Sequence, residues 1–202
     1  VSTPKGFKEA YAQYVAGGWQ GLSHPEEYGG QGMPMSMGLA KQEMLGGANW
    51  SFAMYPGLSL GAMNTVMLHG TDTQKKTYLP PLTEGRWTGT MCLTEAQCGT
   101  DLGQMASTAV PVGDGTYKIT GSKIFISASD HGITENVVNL TLARIEGAPA
   151  GSGGISLFAV PQRREQGEEL VDNDVHVTGA IHKIGWRGLP SLALSFGERG
   201  DC

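Results

Sequence analysis

Charge is sparse in this sequence: only 16% of its 202 residues are charged, and they sum to −5. So sparse and negative a distribution offers no basic field to a phosphate backbone, which excludes nucleic acid as a partner. Cysteine is scarce as well. Cys92, Cys98 and Cys202 fit neither an even disulfide framework nor the spacing of a metal site. The expectation is therefore reduced thiols, no metal and a cytoplasmic setting. No apolar run approaches the roughly 20 residues a membrane helix needs, and no secretory leader is seen, so no membrane span is expected. In that setting the glycan-acceptor triplets at Asn49 and Asn139 read as chance.

What is present is glycine, 31 residues of it, spread through a chain that is 40% hydrophobic. That combination means many turns around a real core, in one or two domains. Phe7, Tyr11, Tyr14, Val15 and Trp19 recur at three- and four-residue spacings and predict a helix over residues 5–20. A glycine-rich loop follows over 21–32. Its Gly29-Gly30-Gln31-Gly32 follows no strand and lacks the dinucleotide spacing, so a loop is expected there. Two helices are predicted next, about 34–48 and about 50–68, the second apolar nearly all round. Inside it Gly57-Leu58-Ser59-Leu60-Gly61 matches the nucleophile elbow of hydrolases in letters only. An elbow needs a strand before it, and Ser59 is read as a small helix-packing residue. Thr71 and Gln74 form a capping box that starts a short helix, which Pro80-Pro81 should break.

After Trp87 the pattern changes to short runs of Val, Ile, Thr, Leu and Phe between glycine turns. Strands are expected at 87–94, 105–112, 116–121, 123–127, 136–145, 154–160, 175–178 and 192–196. The charged segment 163–169 has no apolar face and reads as a solvated loop. Helices first and strands second make an α+β chain: a helical segment, 1–85, then an antiparallel β-sandwich or barrel, 86–202. Where the first of these strands ends, Thr94, Glu95, Thr100 and Asp101 gather around Gly99. Hydroxyls and backbone N–H groups in such a turn can hold the polar edge of a flat cofactor or a phosphate. Glu95 and Asp101 read as residues that satisfy nearby N–H groups rather than as a catalytic carboxylate pair.

Four segments in order resemble the acyl-CoA dehydrogenase family: residues 70–85, Met91 to Asp101, Tyr117 to Ser127 and His182 to Ser191. The second resembles the pattern aromatic-Cys-x-Thr-Glu-Pro-x-Ala-Gly-Ser-Asp, and the third a hairpin ending Lys-x-Trp-Ile-Thr. Residues 128–161 look closest to the bacterial branch typified by 3-methylmercaptopropionyl-CoA dehydrogenase. The resemblance implies an FAD-dependent oxidoreductase of fatty acid metabolism that desaturates an acyl-CoA. It also implies an electron-transfer flavoprotein or similar acceptor, and a homo-oligomer, dimer or tetramer, at full length.

Carried over residue by residue, the resemblance places Met91, Leu93, Thr94, Gly99, Thr100, Phe125, Ile126 and Ser127 at the flavin. Leu93 and Thr94 would supply a backbone N–H and a hydroxyl to the pyrimidine edge. Ser127 would reach N5, Phe125 would cover the ring face, and Gly99 and Thr100 would approach the phosphates, Thr100 also as a substrate contact. Ala96 stands where the family has proline, Thr100 for serine, Ser127 for threonine and Phe125 for tryptophan. The family's catalytic base is a glutamate in a C-terminal helical domain, and no residue here matches it. The chain is therefore expected to be a fragment, inactive by itself, without the C-terminal helical bundle. Two alternatives stay open: a non-catalytic binding module of the same arrangement, or a related flavin oxidase or monooxygenase.

Overall fold

The computed structural model describes residues 1–202. Its chain divides into two compact units. One holds 1–90 with 130–138 and 183–190; the other holds 91–129, 139–182 and 191–202.

The first unit is built on three helices, α1 (Phe7–Ala16), α2 (Met35–His69) and α3 (Asp72–Thr83). Helix α1 is shorter than its apolar spacing predicts: Gly17 and Gly18 end it, and Trp19 lies beyond it, half exposed. Helix α2 is two helices meeting at Asn49, whose backbone is extended (φ −161°, ψ 100°) and whose Oδ1 accepts from Phe52 N–H at 3.1 Å. Asn49 thus caps the second half, which fits the two predicted segments. On that half Phe52, Tyr55, Met63 and Val66 are buried, and Phe7 meets the rings of Phe52 and Tyr55 edge-on at 5.6 and 6.2 Å.

Ser59 is fully buried in this helix. Its Oγ donates to the Tyr55 carbonyl at 2.9 Å and accepts from Gly89 N–H at 3.1 Å, so it is a packing residue and no elbow. The glycine-rich loop also has a steric explanation: a Cβ on Gly30 would stand 2.1 Å from the His24 carbonyl oxygen. Helix α3 corrects one expectation. Pro80 and Pro81 lie within it, because buried Leu79 and Leu82 anchor its last turn and Glu84 N–H still donates to the Pro80 carbonyl.

Its start matches the capping box, with Gln74 N–H donating to Thr71 Oγ1 at 3.2 Å and Thr71 N–H to Gln74 Oε1 at 2.9 Å. Thr71→Ala is expected to cost about 1 kcal/mol in urea unfolding; an unchanged midpoint would show that the cap contributes nothing.

Nine strands follow: β1 (Trp87–Cys92), β2 (Thr108–Pro111), β3 (Tyr117–Ser127), β4 (Asn136–Ile145), β5 (Ile155–Pro161), β6 (Arg163–Gln166), β7 (Glu169–Asp172), β8 (Val175–Ala180) and β9 (Ser191–Phe196). The main sheet runs β1-β4-β2-β3-β9-β8, with β5 on β4. Its β2–β4 ladder is parallel, so the sheet is mixed. The second unit's core gathers Ala109, Ile119, Ile126, Leu192, Leu194 and Phe196.

Two strand expectations change. Segments 116–121 and 123–127 are one strand, β3, because its irregularity is a bulge rather than a turn. The charged segment 163–169 forms most of the β6–β7 hairpin instead of a loop. Gln166 pairs with Glu169 across a two-residue turn whose Gly167 has φ +65°. The cysteines are free and buried. Asn139 is wholly buried and could not carry a glycan in the fold.

Candidate functional site

All eight residues expected at a flavin fall in the second unit: Met91 at the end of β1, Leu93, Thr94, Gly99 and Thr100 on the segment after it, and Phe125, Ile126 and Ser127 at the end of β3. Glu95 and Cys98 exchange backbone hydrogen bonds (2.8 and 3.1 Å), closing a tight turn over exposed Ala96 and Gln97. Two bonds to main-chain carbonyls tie the segment before the turn to β3. Ile124 N–H donates to the Thr94 carbonyl at 2.9 Å, and Lys123 Nζ donates to the Leu93 carbonyl at 3.2 Å. Thr94 is thus fastened by its carbonyl, and its amide and hydroxyl lie outside these bonds. A Cβ on Gly99 would meet the Thr94 methyl at 3.8 Å, which places that glycine beside Thr94.

The opposite wall depends on the bulge. Lys123 pairs with Leu194 and Ile126 with Leu192, so three steps on β3 answer two on β9. Strict alternation would put residues 123, 125 and 127 on one face. The extra residue instead keeps Lys123 and Ile126 facing inward and swings Phe125 out, 60% exposed. Phe125 holds φ +60°, a left-handed conformation that costs an aromatic residue on the order of 1–2 kcal/mol. A strained backbone under an exposed ring is the kind of feature that marks a functional site.

Not every expected residue presents its side chain. Ile126 is buried in the core, so only its main chain could touch a ligand. Met91 is half exposed, and Thr94 and Ser127 are half-buried. Gly99 and Thr100 lie on the exposed stretch that leads to Asp101, whose carboxylate accepts from Gly103 N–H at 3.2 Å and Gln104 Nε2 at 2.7 Å. An exposed flat ring, half-buried hydroxyls and an amide whose carbonyl partner is already engaged fit the edge and face of a flavin.

The residue that sequence reading missed is Lys123. Its side chain is fully buried against Glu95 at 2.7 Å. The Glu95 carboxylate also accepts from Gln97 Nε2 (2.6 Å), Ala106 N–H (2.8 Å) and Ser107 N–H (3.1 Å). Burial alone would raise the Glu95 pKa. The Lys123, Ser107 and Ala106 donors outweigh it and hold the carboxyl down at about 2. Glu95 therefore satisfies N–H groups, as expected, while also balancing a cation 28 residues away. The available signal was the phase of β3: Lys123 shares the inward face with Ile119.

Comparison with known proteins bears on this geometry. Residues 3–86 match the family model for the acyl-CoA dehydrogenase N-terminal domain, and residues 90–198 match that for the middle domain. The chain is 46% identical over 198 residues to 3-methylmercaptopropionyl-CoA dehydrogenase of Ruegeria pomeroyi, covering 97% of this chain and 34% of that protein. Among solved structures, an acyl-CoA dehydrogenase complexed with FAD from Bacillus anthracis superposes with TM-score 0.76 at 26% identity. That match covers 94% of this chain and 30% of the other. A chain from a structure described as an electron transferring flavoprotein of Acidaminococcus fermentans matches with TM-score 0.77 at 27% identity, covering 96% and 47%. The chain spans about a third of the length of the curated relatives it matches.

Proposed function

This chain belongs to the acyl-CoA dehydrogenase family, and from that premise we propose that it is the flavin- and acyl-CoA-facing part of an α,β-dehydrogenase. The observation that carries the proposal is the pairing of the Leu93–Thr94 segment with the bulge that exposes Phe125. FAD, when bound, supplies the oxidant for the hydride leaving the β carbon. The chain's own work is to hold and orient. The Thr94 N–H and hydroxyl, with the Leu93 backbone, face the edge on which reduction places negative charge. Phe125 covers the ring, and Ser127 lends its hydroxyl toward N5. Ile126 contributes main chain between them, Met91 borders the site, and Gly99 and Thr100 serve the phosphates, Thr100 also on the CoA side.

The base that takes the α proton belongs to a further helical domain of the full-length protein, so residues 1–202 alone are inactive. The domain boundary falls near residue 85, between a helical domain, 1–85, and a β-domain, 86–202. An electron-transfer flavoprotein or similar acceptor, a homo-oligomeric assembly and a cytoplasmic location belong to the same reading. The likeness to the Acidaminococcus structure supports the acceptor, and three buried free thiols support the location.

The test is the visible spectrum of the full-length protein, with and without added FAD. A flavin spectrum is expected; a colourless protein that takes up no FAD ends the flavin reading. Phe125→Gly sharpens it. Glycine accepts φ +60° without strain, so stability should hold or rise by about 1 kcal/mol. Loss of the stacking ring should weaken FAD binding roughly tenfold, in the range of one aromatic contact. Unchanged FAD affinity in this variant would remove Phe125 from the site.

A further inference from the structure

Lys123 is a cation buried in mid-strand, with its side chain wholly shielded from solvent and its ammonium shared between Glu95 Oε1 at 2.7 Å and the Leu93 carbonyl at 3.2 Å. A buried ion pair is often no more stabilising than an apolar pair of the same volume, so stability alone is a weak reason for it. The peptide plane offers a better one. In a trans peptide the carbonyl of residue 93 and the N–H of residue 94 lie in one plane and point in opposite directions. An ammonium on the Leu93 oxygen therefore turns the Thr94 N–H away from the buried side. It also polarises that peptide, because hydrogen bonds in a chain strengthen one another and do so most in a low dielectric.

The neighbouring peptide is fixed as well. The Thr94 carbonyl accepts from Ile124 N–H, and Glu95 N–H is committed to the Cys98 carbonyl. Glu95 itself is pinned by Gln97, Ala106 and Ser107, so the counter-charge cannot drift and Lys123 stays where it is.

The geometry points to Lys123 as a positioning residue that, through the Leu93 carbonyl, aims and strengthens the Thr94 N–H as a donor to the anionic edge of a reduced flavin. This rests on the flavin reading above. Glu95 is what allows the charge to be buried; Lys123 is what acts on the donor. A stronger donor at that edge favours the reduced ring and raises its potential. The potential should therefore follow the charge at position 123 rather than the integrity of the ion pair.

The experiment measures the flavin midpoint potential of the full-length, FAD-loaded protein by equilibration with a reference dye. Glu95→Gln/Lys123→Met removes both charges and leaves neither orphaned. At fixed ambient potential its oxidised-to-reduced ratio should rise about tenfold, which for a two-electron couple is about 30 mV. Glu95→Gln alone leaves the ammonium two acceptors, the Leu93 carbonyl and the glutamine Oε1, and its potential should be unchanged or higher. Lys123→Arg, which keeps a charged donor, should stay within twofold of the parent. A double variant within twofold of the parent overturns the inference. So does a tenfold rise of that ratio in Glu95→Gln, which is the arm to read if the double variant does not fold. A parent protein that takes up no FAD overturns the flavin reading instead.

Discussion

Lys123→Met is expected to lower the folding free energy by about 3–5 kcal/mol, the usual result of removing one partner from a buried pair. The reason is what remains. Glu95 is 5% exposed, and without the ammonium its charge keeps only Gln97 Nε2 and two backbone N–H groups. Those three donors put the loss toward the lower end of the range. Against a total stability of about 5–15 kcal/mol for a typical domain, even the lower end is large.

Glu95→Gln/Lys123→Met should recover much of the loss, since no orphaned charge is then buried. Urea unfolding of the parent, the single and the double variant completes the comparison. A single-variant loss below about 1 kcal/mol would mean that solvent or a neighbour satisfies Glu95, against the geometry described. The pair also sets an acid limb. With the folded carboxyl at about 2 and its ordinary value at 4.5, its contribution is complete above about pH 4.5. It is lost as the pH falls toward about 2, because the unfolded chain takes up the proton first.

A second, milder acid limb should come from His131. This residue is 1% exposed, and its ring meets Tyr55 edge-on at 5.1 Å. Its Nδ1 accepts from Ile133 N–H at 3.1 Å, so in the neutral ring Nε2 carries the proton and faces Thr88 Oγ1 at 2.8 Å. A second proton would have to go on Nδ1, where an N–H already points. Burial is the leading cause that lowers its pKa from 6.5 to about 4, against a smaller opposing pull from Asp130. The stabilisation of the neutral form is therefore complete above about pH 6.5 and is lost progressively as the pH falls to about 4. The full change is on the order of 3 kcal/mol.

Urea unfolding at pH 7, 5.5 and 4.5 should trace this loss. His131→Asn keeps an acceptor near Ile133 N–H without a titrating ring, and should flatten most of the slope. His24, whose pKa burial also lowers, accounts for a remainder. A slope in His131→Asn as steep as in the parent would refute the assignment to His131. The two limbs are separable because the Glu95 window lies almost entirely below the His131 window.

Much of the architecture was readable because its signals are local. The break at Asn49 follows from a side chain that bonds an amide three residues on, and the start of α3 from the reciprocal Thr71–Gln74 bonds. Glycines and strand-forming residues alternate after Trp87 closely enough that most strands were placed within a few residues. The misreadings have equally physical causes. Proline ends a helix by default, and buried Leu79 and Leu82 overrode that default in α3. The hairpin at 163–172 has almost no apolar signal, because its ladder is made by backbone groups and closed by one glycine.

By itself the sequence determined the order of helices and strands and the family, and it singled out the stretch proposed to meet a flavin edge. These depend on residue types and on spacings within a dozen positions. Tertiary structure alone decided which groups of that stretch and of β3 are exposed and which are buried. A bulge on β3 has no marker in residue type, yet it turns Phe125 outward while Ile126 stays in the core. The Lys123–Glu95 pair joins β3 to the turn after β1, and only when the sheet closes do Lys123 and Leu93 share a bond. Which amide is free to donate, and how strongly, is a property of where other groups end up, and no local pattern carries it.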